Sequence, residues 1–252
     1  QTREFSALRQ GVIDMAVGST INWSPQVKAL NLFSLPFLFP DYAAVDAVTQ
    51  GEVGKSIFQT LEKAGVVPLA WGENGYREIS NSKKAISKPE DLKGMKIRVI
   101  GNPLFIDTLN AMGANGIAMD TGEIFSALQS GVIDGAENNP PTLLEHNHFR
   151  AAKYYTQTHH LILPEPLLMS KTTWNKLTAD QQALVKKVAR EAQFEERALW
   201  DAKSAASEEK LKAAGVEFIV VDKKPFYDAT ASVREKYGAQ YADLMKRIDA
   251  VE

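Results

Sequence analysis

Phe5-Ser-Ala-Leu-Arg-Gln-Gly-Val-Ile-Asp-Met-Ala16 returns further along the chain as Phe125-Ser-Ala-Leu-Gln-Ser-Gly-Val-Ile-Asp-Gly-Ala136, with nine of the twelve positions identical. Each copy predicts a short helix closed by a glycine in the left-handed conformation (Gly11, Gly131), after which the Val-Ile pair starts a buried strand. Helix, glycine and strand can recur by chance, and that grammar accounts for the glycine and the apolar pair. It does not account for the shared Phe-Ser-Ala-Leu or for the shared aspartate. Two similar α/β lobes account for all of it, and ligands of such proteins commonly sit between the lobes.

Working outward from the repeat, Pro36 and Pro40 punctuate the apolar stretch Leu35-Pro-Phe-Leu-Phe-Pro40, and Asp41 caps a predicted helix running to about residue 49. A second helix is predicted over Lys55 to Ala64, then a strand from Val66 to Trp71. Lys88-Pro-Glu-Asp-Leu-Lys-Gly-Met-Lys-Ile-Arg-Val-Ile100 reads as a turn leading into a strand at Lys96 to Ile100, and Pro103 to Met112 as a helix. From Thr178 to about Ala214 apolar residues recur at helical spacing, after a capping-box-like Thr178-Ala-Asp-Gln181. That is one very long helix, or two with a kink. A strand at Val216 to Val221 and a last helix at Pro225 to about Lys246 complete an α/β alternation with largely parallel or mixed sheets.

The 252 residues are 44% hydrophobic, enough for one large domain or two lobes with a sizeable core. Basic and acidic side chains nearly balance, 29 against 31, which gives no electrostatic footprint for nucleic acid and no polybasic membrane patch. Any anionic ligand must then be held by local arginines. The absence of cysteine removes disulfides, thiol catalysis and thiolate metal sites. No apolar run reaches the ~20 residues needed to span a bilayer. The opening Gln1-Thr-Arg-Glu-Phe reads as mid-helix without an N-cap, so upstream sequence is expected to be missing.

Three chemical motifs are met only in part or not at all. Gly51-Glu-Val-Gly54-Lys55-Ser56 lacks the first glycine of a phosphate-binding loop, which Thr49 replaces, and it lies between two predicted helices, so a helix cap is the reading. His146, His148, His159 and His160 could bind zinc with a carboxylate such as Glu145, but neither an HExxH pattern nor cysteine supports a metal site. No serine carries a nucleophile elbow. The unusual chemistry lies in Trp71-Gly-Glu-Asn-Gly-Tyr-Arg77, in Ile97-Arg98-Val99 and in Asp134-Gly-Ala-Glu-Asn-Asn-Pro140. Arg98 interrupts an apolar strand, where a guanidinium is costly to bury unless it meets an anion. It is either a structural arginine, at a strand edge or paired with Glu137, or a fork that grips a carboxylate bidentately. Asn138 and Asn139 are either ordinary turn formers before Pro-Pro or amides fixed in a cleft.

Taken together, Ala7-Leu-Arg-Gln-Gly-Val-Ile-Asp14, Leu35-Pro-Phe-Leu-Phe39, Asp91-Leu-Lys-Gly-Met-Lys-Ile-Arg-Val99, Ala127-Leu-Gln-Ser-Gly-Val-Ile-Asp-Gly-Ala-Glu-Asn138 and Leu177-Thr-Ala-Asp-Gln-Gln182 resemble the extracytoplasmic solute-binding proteins of TRAP (tripartite ATP-independent periplasmic) transporters. The resemblance runs over essentially the whole chain. It implies a periplasmic, two-lobed clamp with mixed sheets, hinge strands and a long helix spanning both lobes. The implied division is residues 1–73 plus about 164–203 for lobe I and 74–163 plus about 204–252 for lobe II. It further implies capture of a small organic acid, a sugar acid such as a uronate before a C4-dicarboxylate, by a monomer that delivers it to membrane-embedded permease subunits without catalysis or cofactor. The rival is a lyase or decarboxylase using the same cleft.

By the same resemblance Arg98 grips the carboxylate, Arg77 stands beside it and Asn138 completes the grip. Ser19 is a polar contact from the first lobe, and Glu73 and Asn74 lie where the chain crosses between lobes. Asn139 joins them, and Thr121 stands where many members carry an aromatic wall of the pocket. The family's opening strand, helix and strand would precede Gln1, so lobe I is expected to lack a central strand.

Overall fold

A computed structural model describes residues 3–249, leaving Gln1, Thr2 and residues 250–252 outside the described residues. Seven strands form one mixed sheet: β1 (Met15–Val17), β2 (Val66–Asn81), β3 (Lys96–Val99), β4 (Asn115–Ala118), β5 (Gly135–Asn138), β6 (Tyr154–Ser170) and β7 (Glu217–Val220). Their order is β1-β6-β2-β5-β3-β4, with β7 also beside β6. The strand expected at Val66 to Trp71 continues to Asn81, and the added part stays largely buried despite Glu73, Asn74, Arg77, Glu78, Ser80 and Asn81. Strands of 16 and 17 residues reach about 50 Å at the usual rise, so β2 and β6 run the length of the molecule as an antiparallel pair. One end of the pair carries β1, and the other carries β5, β3, β4 and β7. The result is a two-lobed α/β fold whose lobes share two crossing strands.

Both repeat glycines are left-handed, at φ 71° for Gly11 and 72° for Gly131. The strands, however, begin three residues later than the sequence predicts, at Met15 and Gly135. The Val of each pair sits on the corner that the glycine turns, so Val12 and Val132 face solvent at 72% and 55% exposure, and only Ile133 is fully buried. The repeated aspartates have matching tasks. Asp14 accepts from the Thr173 hydroxyl, and Asp134 accepts from the Lys96 backbone N–H at 2.8 Å. Each stitches its corner to an element distant in sequence.

The long helix is a single one, Ala179–Ala213, about 50 Å at 1.5 Å per residue. Thr178 and Gln181 close the predicted capping box. The helix crosses the β2–β6 pair, where Gln193 accepts from the Trp71 N–H at 3.0 Å. The predicted last helix is instead three pieces, Lys224–Ala229, Ala231–Gly238 and Ala242–Asp249. Thr230 makes the first break, its hydroxyl donating to the carbonyls of Phe226 and Tyr227. Gly51 joins the helices Tyr42–Gln50 and Glu52–Lys63, and a Cβ at Gly54, in the first turn of the second, would lie 1.8 Å from the Thr49 carbonyl oxygen. These glycines let two helices meet at a tight corner.

Candidate functional site

A cavity of about 560 Å³ opens beside the crossing strands. Six of the eight predicted residues line it: Ser19, Asn74, Arg77, Arg98, Thr121 and Asn138. They arrive from separate elements. Arg98 is the third residue of β3, Asn74 and Arg77 lie mid-way along β2, and Asn138 ends β5. Thr121 begins a one-turn helix after β4, and Ser19 precedes the short helix Thr20–Trp23.

The two arginines are not equivalent. Arg77 is already engaged by Glu137, with Nε donating to Oε2 at 2.5 Å and Nη2 to Oε1 at 2.8 Å. Nη2 also donates to the Glu137 carbonyl at 2.9 Å, and Nη1 to Asn138 Oδ1 at 3.3 Å. Burial would raise the Glu137 carboxyl, yet the Arg77 charge overcomes it and holds the group at about 2. The pair is therefore a neutral unit within the wall.

Arg98 has no such partner. Its Nε donates to the Met119 carbonyl at 2.7 Å and Nη2 to Thr121 Oγ1 at 3.3 Å, which fixes the plane of the guanidinium. Nη1 is buried with no partner among the described residues. Burial lowers Arg98 to about 10, partly offset by Glu137 and reinforced by Arg77, so the group stays charged at neutral pH. A buried cation with an unmatched donor in a cavity wall is a site for an anion. The Ser19 hydroxyl is likewise buried and without a partner among the described residues.

Two predicted residues stand behind the wall. Glu73 accepts from the N–H groups of Asn74 and Gly75 at 3.1 and 2.8 Å, and from Arg197 of the long helix at 3.0 Å. Burial raises its carboxyl, and the Gly75 N–H and Arg197 oppose the shift. Arg197 also grips Asp46 at 2.9 Å and lies over the Tyr42 ring, so Glu73 ties β2 to the long helix and the 42–50 helix. Asn139 caps the helix Pro140–Glu145 and donates to Asn74 O and Oδ1 at 2.9 and 3.3 Å. It orients Asn74.

Sequence reasoning missed Glu165, Asp120, Asn102 and His146, which also line the cavity. For Glu165 there was a signal, the one that flagged Arg98: a charge inside an apolar strand, here Leu163-Pro-Glu-Pro-Leu167. The four histidines are divided. His148 is buried, which with His146 and Arg98 nearby lowers it to about 4, whereas His159 bonds Glu78 and His160 bonds Thr158.

Against known sequence families, residues 1–242 match the bacterial extracellular solute-binding proteins, family 7 (DctP). The chain belongs to that family. A solute-binding protein of Chromohalobacter salexigens is 36% identical over 221 residues, 88% of this chain and 66% of its own length. The crystal structure of a TRAP periplasmic solute-binding protein from Pseudomonas putida with bound D-glucuronate superposes with a TM-score of 0.94 at 66% identity, covering 100% of this chain and 83% of that one. One from Ralstonia eutropha with bound (S)-2-acetolactate gives 0.91 at 49% identity, covering 99% and 82%. The family is extracytoplasmic, and among the described residues no helix is long and apolar enough to cross a membrane.

Proposed function

We propose that this chain is the binding component of a TRAP transporter, closing around a small hydroxylated monocarboxylic acid of the sugar-acid type and handing it to a membrane permease without chemical change. The observation that carries the reading is Arg98, a braced, buried guanidinium with one unmatched donor in the cavity wall. Arg77, already neutralised by Glu137, strengthens the wall instead of adding a second free charge. One free cation suits one carboxylate, and the ligands of the P. putida and R. eutropha relatives, D-glucuronate and acetolactate, each carry one. The carboxylate meets Arg98, Ser19, Asn74 and Asn138 offer polar contacts, and closure about β2 and β6 expels water and strengthens each charge-assisted bond. The hinge is the register shift between Glu73 and Tyr76, opposite Pro164. That position supports a division of the lobes near residues 73 and 164.

A panel of uronates, aldonates, short keto acids and C4-dicarboxylates, followed by thermal shift and by product analysis in the same samples, tests the proposal. A rise in melting temperature with a uronate and no product is expected. Binding confined to neutral sugars or amines would refute the arginine argument, and turnover of any acid would refute the absence of catalysis.

A further inference from the structure

We propose that Glu165 makes the cleft select acids with one carboxylate and neighbouring hydroxyls over acids with a carboxylate at both ends; this rests on the sugar-acid reading above. Glu165 lies on β6 between Pro164 and Pro166, opposite Gly72 of β2, and lines the same cavity as Arg98. Its Oε1 accepts from Asn74 Nδ2 at 2.8 Å. Asn139 sets the direction of that amide by donating to Asn74 Oδ1, and Asn139 is itself anchored by accepting from the Thr142 N–H at 2.9 Å. The chain Thr142–Asn139–Asn74 thus holds one carboxylate oxygen and leaves Oε2 as an acceptor.

An ionised carboxylate only accepts hydrogen bonds, so it matches a hydroxyl and mismatches a second carboxylate, which brings acceptors and a like charge. Among the described residues no free cation beside Glu165 relieves the mismatch. The charged groups around Glu165 are Glu196 of the long helix, Glu4 of the helix Glu4–Gln10, and Arg77, whose charge Glu137 already answers. Asp120 adds another acid to the cavity wall, and His146 is its titratable imidazole. Burial, opposed by the Asn74 hydrogen bond, raises Glu165 to about 7. Above that pH the carboxylate repels a second carboxylate; below it the neutral acid can donate to one.

The probes are D-glucuronate, a pyranose with one carboxylate, and D-glucarate, an open chain of the same hydroxyl configuration with a carboxylate at both ends; that ring-to-chain difference is the same at pH 6 and pH 8, so the movement of their affinity ratio with pH is the reading. Calorimetric titration of the full chain should show D-glucuronate preferred by about tenfold or more near pH 8, with the ratio shrinking several-fold near pH 6. Glu165→Gln keeps the acceptor for Asn74 and should bring the ratio within about threefold at both pH values, with an unchanged melting midpoint. A wild-type ratio that does not move with pH overturns the proposal and needs no variant. A ratio that still moves with pH in Glu165→Gln transfers the effect to His146 and also overturns it. If wild type binds D-glucuronate but the Gln variant keeps the wild-type ratio, only the Glu165 assignment falls; if wild type binds neither acid, the sugar-acid reading fails first.

Discussion

Arg98→Ala should abolish tight acid binding while leaving the fold almost untouched, and the structure sets both sizes. The guanidinium offers a desolvated charge with one donor unspent, and truncating one partner of a buried charge pair costs about 2 to 5 kcal/mol, a roughly 30-fold to several-thousand-fold weakening. On the stability side the variant loses the bond to the Met119 carbonyl, worth about 1 kcal/mol, but it also removes a buried charge that no carboxylate in the lobe grips directly. The unfolding midpoint should therefore stay close to wild type. Arg98→Lys keeps the charge but can satisfy either the Met119 carbonyl or the ligand, so its affinity should fall between the two. Calorimetric titration with D-glucuronate and urea melts of the same samples provide the readout. Near-wild-type affinity with a clearly lowered midpoint would refute the reasoning, because it would make Arg98 a structural residue.

Arg77→Met should show the opposite signature: Glu137 is left buried and unpaired, so urea melts should lose about 3 to 5 kcal/mol, and a variant as stable as wild type would disprove the pairing. The same pair sets an acid limb of stability. Glu137 is held at about 2 against an ordinary 4.5, so its contribution, on the order of 3 kcal/mol, is present above pH 4.5 and drains away as pH falls towards 2. Subtracting the melts of Glu137→Gln from those of wild type across that window should expose the limb; a pH-independent difference contradicts the assignment. Gly54→Ala forces a methyl into the Thr49 carbonyl and should cost about 1 to 3 kcal/mol in thermal melts, with D-glucuronate affinity retained once folded. A neutral result there would mean that the helix corner can open.

Much of the fold was legible because it rests on local rules. The repeat fixed two equivalent corners, the left-handed glycines fell where the motif put them, and Thr178 and Gln181 marked the start of a helix that proved unbroken. What failed was also local in origin. The Val-Ile pair looked like the opening of a strand because both residues are β-branched, yet the turn after the glycine takes up three residues before the strand begins. The reach of β2 to Asn81 was hidden because Glu73, Asn74, Arg77 and Glu78 break the apolar pattern, and each has a partner far away in sequence that the pattern does not reveal.

The candidate site shows that limit most sharply, since the sequence offered two arginines and one buried glutamate without saying which arginine the glutamate takes. Register decides it. Arg98 lies opposite Ala136 across β3 and β5, and side chains alternate along a strand, so Glu137 projects from the other face. On the other flank of β5, Ile79 lies opposite Glu137, which puts Arg77, two residues before Ile79, on the glutamate's own face. A slip of one residue in the β3–β5 register would turn Arg98 towards Glu137 and leave the cavity without its unmatched donor. The unmatched donor of Arg98 therefore depends on the pairing of three strands drawn from distant parts of the chain, and Gly135 helps to hold that pairing. A Cβ there would lie 2.2 Å from the Ser80 carbonyl of β2 and 2.9 Å from Ile97 of β3, so only glycine lets both neighbours close on β5 in the register that frees Arg98.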